Sequence, residues 1–129
     1  VGVNSCTDIT GFGLLGHAFE MADGSNVTIK FNSSSIPIIE EALSLARMGF
    51  IPAGAYRNME YIKNQVKISE TVPQEIIDCM FDPQTSGGLL ISLKKEKAES
   101  LLNELKNIST PFALIGEVLE KQDYSIIVE

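Results

Sequence analysis

Two short stretches hold most of the residues in this chain that could do chemistry. In the first, Asp8 precedes a run of small residues, Thr10, Gly11 and Gly13, with Gly16 and His17 just beyond. A carboxylate in this setting has two readings. It can cap a helix, because a helix N-terminus favours negative charge. It can also ligate Mg²⁺, which is usually held by one or two carboxylates together with phosphate oxygens. The second stretch, residues 82–90, sets Asp82, Gln84, Thr85, Ser86, Gly87 and Gly88 ahead of an apolar run. Backbone amides around Ser86, Gly87 and Gly88 can face an anion, because glycine has no side chain to block its approach. The other reading is a tight turn capped by Asp82.

Gly11, Gly13 and Gly16 also spell G-x-G-x-x-G. A dinucleotide site needs a buried strand before that turn and an acidic residue at the end of the next strand. Here residues 4–8 are polar and Asn32 stands at the end of the next predicted strand. Asp8 would also repel a pyrophosphate. The glycines therefore read as close packing at a helix start, and a nicotinamide or flavin site is set aside.

Other polar residues carry weaker signals. His17 is the only histidine; it reads as a packing or helix-stabilising residue, or as a group for proton transfer or anion contact. Arg57 suits a phosphate or a partner domain, and equally a surface salt bridge. The charge run Lys94, Lys95, Glu96, Lys97 reads as a solvated face, and the Leu101–Leu105 stripe as core. Cys6 and Cys79 read as buried, inert thiols.

These residues need elements to position them. Residues 1–10 read as an extended lead-in. Phe12, Leu15, Phe19 and Ala22 recur at helical spacing, predicting a helix from Thr10 to the turn at residues 23–26. Val27, Ile29 and Phe31 alternate with polar residues and predict a half-buried strand. Ile36, Ile39, Leu43 and Ala46 mark a second helix, with Pro37 in its first turn. Residues 50–64 fit no clean period, and Pro52 and Gly54 predict a loop. A brief strand at 66–68, a helix at 73–81 ended by Asp82-Pro83, a buried strand at 88–93 and a helix at 94–107 follow. Strands at 112–119 and 124–128 close the chain. The order predicts an α+β fold with a mixed or antiparallel sheet and helices packed on it.

The 129 residues suit a single domain, 1–129, with 44% hydrophobic and 21% charged residues, the mix of a globular protein. A net charge of −7 argues against a nucleic-acid backbone or an anionic membrane as the main partner. Two cysteines in a chain with its own core point to a reducing cytosol rather than a disulfide scaffold. No apolar run approaches the roughly 18 residues of a membrane span, and no signal-peptide pattern is visible. The start at Val1, without methionine, is expected of a fragment.

Taken together, residues 7–17, TDITGFGLLGH, and 82–90, DPQTSGGLL, resemble the two signature stretches of the C-terminal half of selenophosphate synthetases (selenide, water dikinases). Residues 52–58, PAGAYRN, are similar to that family's P-G-G-T-x-R-N loop, and 115–118, IGEV, to its closing strand. The likeness runs from about residue 5 to residue 120. Ala53 and Ala55 depart from it, and Ala55 removes the hydroxyl of the family's threonine.

The resemblance implies a superfamily shared with aminoimidazole ribonucleotide synthetase and a fold like that enzyme's C-terminal domain. It implies an enzyme that makes selenophosphate, AMP and phosphate from ATP, selenide and water with Mg²⁺. Asp8 would be the metal ligand of this half. Thr10, Gly11, Gly13, Ser86, Gly87 and Gly88 would shape the phosphate side of the site. The catalytic cysteine or selenocysteine, the essential lysine and most metal ligands would lie in an N-terminal ATP-binding half. That half would be this domain's partner and would build most of a cytoplasmic homodimer. No catalytic residue falls within 1–129, and the chain alone is expected to turn over no ATP. Two other readings stay open: another phosphotransferase of the superfamily, and a non-catalytic interaction module.

Overall fold

The computed structural model describes residues 1–129. Strand β1 (Ser5–Asp8) is followed by α1 (Gly13–Gly24), β2 (Val27–Phe31), α2 (Glu40–Arg47), α3 (Ala53–Ile62), β3 (Val66–Ile68), α4 (Gln74–Phe81), β4 (Leu89–Ser92), α5 (Lys95–Leu105), β5 (Gly116–Glu120) and β6 (Ile126–Val128). The strands form two sheets. β1 and β4 make an antiparallel pair, with Cys6 opposite Ile91 and Asp8 opposite Leu89. The larger sheet has the order β3-β6-β2-β5 and is mixed: β2 runs antiparallel to β5 and parallel to β6, which is parallel to β3. The fold is α+β, as predicted.

The core lies between α1 and the larger sheet. Leu15, Ala18 and Ala22, three and four residues apart, bury one stripe of α1. Ile29, Phe31, Ile126 and Val128 of β2 and β6 join it from the sheet, and Ile62, Met80 and Phe81 from α3 and α4. At roughly 25 cal/mol per Å² of apolar surface removed from water, this burial is the main force holding the helices on the sheet. On β2, Thr28 is also fully buried. Its hydroxyl donates to the Tyr124 carbonyl at 2.8 Å and accepts from the Gln122 amide at 2.8 Å. A buried hydroxyl left unpaired would be costly, so this pair of bonds fixes the β5–β6 connection.

Several expectations need correction. The lead-in contains β1, whose pairing with the distant β4 no local pattern reveals. The expected loop at 50–64 contains α3. Its inward positions are Ala55, Asn58 and Ile62, a helical period hidden because one inward residue is polar and another small. The second helix begins at Glu40, not near Ile36: Ile36 and Ile39 are both extended, and Ile36 precedes Pro37, which disfavours the helical region there. In α1 the buried stripe is rotated from the expected face, leaving Phe12 exposed and Phe19 half-buried. Helix α5 buries none of its residues, so its leucine stripe is half-covered surface rather than core. Cys6 is exposed, because alternation along β1 turns it outward. Only Cys79 is partly buried; burial, then the nearby Asp82 carboxylate, raises its thiol pKa and keeps it protonated. No helix is long and apolar enough to cross a membrane.

Candidate functional site

The three strings singled out in the sequence meet at one corner. The turn after β1, the start of α1, the first half of α3 and the loop from α4 to β4 close on one another there. Ile9, buried at the end of β1, donates its amide to the Gly88 carbonyl and accepts from the Gly87 amide, both at 2.9 Å. The Thr10 carbonyl accepts from the amides of Gly13 and Gln84, both at 3.0 Å. The 82–88 loop therefore hangs from the carbonyls of Ile9 and Thr10. A side chain at Gly87 would meet the Ile9 carbonyl oxygen at 2.9 Å, so only glycine lets these two backbones come this close.

From the other side, buried Asn58 reaches in from α3. Its side-chain amide donates to the Gly11 carbonyl at 3.0 Å and to the Phe81 carbonyl at 2.9 Å. Sequence reasoning does not find this contact, because the expected loop at 50–64 hides the helix that carries Asn58. The spacing of Ala55, Asn58 and Ile62 was the signal that could have found it.

Asp8 is exposed at the C-terminal end of β1. The helix-cap reading of this residue falls: the residue before α1 is Phe12, four positions on, and no side chain caps that helix. Thr10 is not a cap either. Its hydroxyl lies 2.9 Å from His17 Nε2, and His17 Nδ1 is 3.7 Å from a Glu20 carboxylate oxygen. His17 thus holds the Thr10 side chain and packs its ring against Phe12, with centroids 5.4 Å apart. Ser86, Gly87 and Gly88 are exposed on the loop, beyond the Asp8 end of β1.

No three His, Cys, Asp or Glu side chains come together as a metal centre. Asp8 takes part in no ion pair. One exposed, unpaired carboxylate fits Mg²⁺ as a single ligand, and the rest of such a shell would come from outside this chain.

Beside the corner lies an open cleft of about 710 Å³, lined among others by Phe12, Pro52, Gly54, Arg57, Tyr61 and Pro83. Phe12 and Tyr61 stack along it with centroids 5.9 Å apart. Arg57 lines the cleft and makes no salt bridge, so the surface-pair reading of this residue does not hold. Ala55 is fully buried, so the departure from the resemblance at that position changes the core and not the cleft wall.

Asp82 accepts a hydrogen bond from the Gln84 amide at the start of the loop. Burial raises its carboxyl above the ordinary value of 3.8, and the Gln84 bond offsets only part of that. Ionising Asp82 therefore costs more in the folded chain than in the unfolded one. Its protonated form gives stability that is present below 3.8 and lost as pH rises through the higher folded value. Asp82→Asn is expected to raise Tm modestly at neutral pH, with the gain vanishing by about pH 3. Thermal unfolding across that range checks this; a gain that persists at low pH would assign the effect to something other than charge.

An α+β domain of this topology, with three glycine-bearing strings joined at one corner, defines a class. The chain matches, over residues 1–129, the family described as AIR synthase related protein, C-terminal domain, and belongs to it. Among individual proteins it is 59% identical to the selenide, water dikinase of Caldanaerobacter subterraneus subsp. tengcongensis, over 99% of this chain and 37% of that one. It is 52% identical to selenide, water dikinase 2 of Peptoclostridium acidaminophilum, over 98% of this chain and 36% of that one. The chain thus spans little more than a third of the length of these relatives. Among solved structures, thiamine-monophosphate kinase from Stenotrophomonas maltophilia K279a shares the fold, with a TM-score of 0.59 at 17% identity. That likeness covers 98% of this chain and 31% of that one.

Proposed function

We propose that this chain is the C-terminal domain, 1–129, of a selenide, water dikinase, an enzyme that converts ATP, selenide and water into selenophosphate, AMP and phosphate. The observation that carries the reading is the joining of residues 7–13, 52–58 and 82–88 at one corner with Asp8 exposed beside them. Identity of 59% to a protein of that name, over nearly the whole chain, supports it.

In this reading the domain supplies one wall of a site that it does not complete. Asp8 would give one oxygen to Mg²⁺ on the ATP phosphates. Bound there, the ion would neutralise phosphate charge during phosphoryl transfer. The backbone at Thr10, Gly11 and Gly13 would shape the wall beside it. The amides of Ser86 and Gly88 would face phosphate oxygens, while Gly87, its own amide held by the Ile9 carbonyl, would keep the loop close to the turn after β1. The nucleophile, the essential lysine and the remaining ligands would come from an N-terminal ATP-binding half, through which the longer protein forms a homodimer. The setting would be the reducing cytoplasm, consistent with two free cysteines.

The test compares ATP consumption by the longer polypeptide and by residues 1–129 alone, with Mg²⁺, with and without selenide. Selenide-dependent consumption by the longer protein and none by the isolated domain is the expected result. Consumption indifferent to selenide would move the substrate to another acceptor of the same superfamily. No consumption by the longer protein would leave the domain as an interaction module. Turnover by the isolated domain would show that it holds a complete site.

A further inference from the structure

We infer that Asn58 is a positioning residue of this site: its buried amide locks the turn that follows Asp8 to the end of α4, and so sets the Asp8 carboxylate against the 86–88 backbone. The inference rests on the function proposed above and adds a residue to it.

The geometry has three parts. First, one nitrogen serves two strings. Asn58 Nδ2 donates to Gly11 in the turn after β1 and to Phe81 at the last residue of α4, at 3.0 and 2.9 Å. Two N–H groups on one planar amide can meet two carbonyls only if these hold a fixed separation. Second, the Phe81 carbonyl needs a donor. Phe81 ends α4, where carbonyls have no partner within the helix, and Phe81 is itself buried. Asn58 is 7% exposed, so water cannot readily replace it. Third, the same two strings are already joined on their far side by the bonds of Ile9 and Thr10 to Gln84, Gly87 and Gly88. Those bonds tie the turn to the 84–88 loop, and Asn58 ties it, from α3, to the end of α4 as well.

Asp8 lies three residues before Gly11, and the amides of Ser86 and Gly88 lie at the other end of the strung loop. Their relative placement is what a metal-bound phosphate would sense. An asparagine that merely satisfied the core would affect stability and nothing else.

The test uses the longer polypeptide with Asn58→Ser, which removes the amide yet leaves room for water, beside Asn58→Leu, which removes the donors at similar volume. The measurements are kcat and the apparent Mg²⁺ constant per folded molecule, and a double variant with Asp8→Asn. Residues that orient a metal ligand typically contribute 10–100-fold. Asn58→Ser is expected to raise the Mg²⁺ constant on the order of 10-fold and to add little once Asp8 is already changed. An unchanged Mg²⁺ constant with only a lower Tm, or full additivity with Asp8→Asn, would overturn the inference. If the wild type consumes no ATP, the proposed function fails instead, and hydrogen exchange in the same polypeptide decides the clamp. Faster exchange at the Gln84 and Gly87 amides in Asn58→Ser would uphold it, and unchanged exchange would overturn it. Asn58→Ser is the variant that carries the result if Asn58→Leu does not fold.

Discussion

Asp8→Ala in the longer polypeptide is expected to cut selenide-dependent ATP cleavage by more than about 100-fold while leaving the fold intact. The size follows from the role. Changing groups that only orient a metal ligand costs about 10–100-fold, so losing a ligand itself should cost more. The intact fold follows from the surroundings. Asp8 is exposed at a strand end and belongs to no ion pair, and surface substitutions of that kind fall within about 0.5 kcal/mol. Raising Mg²⁺ or substituting Mn²⁺ should recover part of the activity, because the missing oxygen can be replaced by water at a cost in affinity. Steady-state rates against metal concentration, with thermal unfolding as the control, check this. A variant that unfolds early would make Asp8 a structural residue, and one that keeps full activity would remove it from the site.

Gly13→Ala is expected to destabilise the chain by roughly 3 kcal/mol or more. Gly13 opens α1 with φ +72°, a conformation that costs an L-residue about 1–2 kcal/mol. A Cβ there would also sit 2.9 Å from the Asp82 carbonyl oxygen and from the carbonyl carbon and oxygen of Phe81. Those are backbone atoms at the end of α4 and cannot swing aside as a side chain could. Overpacking of this sort adds roughly 1–3 kcal/mol. For a domain of this size the sum lowers Tm by about 10 °C or more. Urea unfolding of the purified variant reads it directly. A loss under about 1 kcal/mol would mean that the turn and α4 can move apart, against the joined corner described here.

How much of this could be read from the sequence depended on whether the signal was local. Strand β2 was legible because Val27, Ile29 and Phe31 alternate with polar residues, and α4 because Asp82-Pro83 ends it. Helix α3 was not, because its inward face carries Asn58 and the small Ala55 behind Pro52 and Gly54. The side of α1 that turns inward was misjudged: large aromatics at Phe12 and Phe19 outweighed the small residues Ala18 and Ala22, which let the helix lie close to the sheet. The order β3-β6-β2-β5 joins strands far apart in the chain, and no local pattern encodes it. The same division runs through the site. Asp8 and the two glycine-bearing strings stood out by residue type. The clamp from Asn58 and the stacked Phe12–Tyr61 wall arise only when α3 is brought against α1 and α4.

Residues 86–88 and Asp8 have complementary parts in the proposed site. Ser86 and Gly88 would offer neutral amide donors to phosphate oxygens, and Asp8 would offer charge to a cation. A chain of net charge −7 can meet a triphosphate in this way because the cation, and not protein charge, offsets the repulsion.

In the proposed function this domain would supply one wall of a site for selenide-dependent cleavage of ATP, with Asp8 as its contribution to the metal. The most direct test is ³¹P NMR of the longer polypeptide with Mg-ATP, with and without selenide, for wild type and Asp8→Ala. The expected result is a selenophosphate resonance with AMP and phosphate, present only with selenide in the wild type and missing from the variant. A selenophosphate resonance of equal rate in Asp8→Ala, or ATP cleaved by the wild type with no selenophosphate formed, would contradict the account.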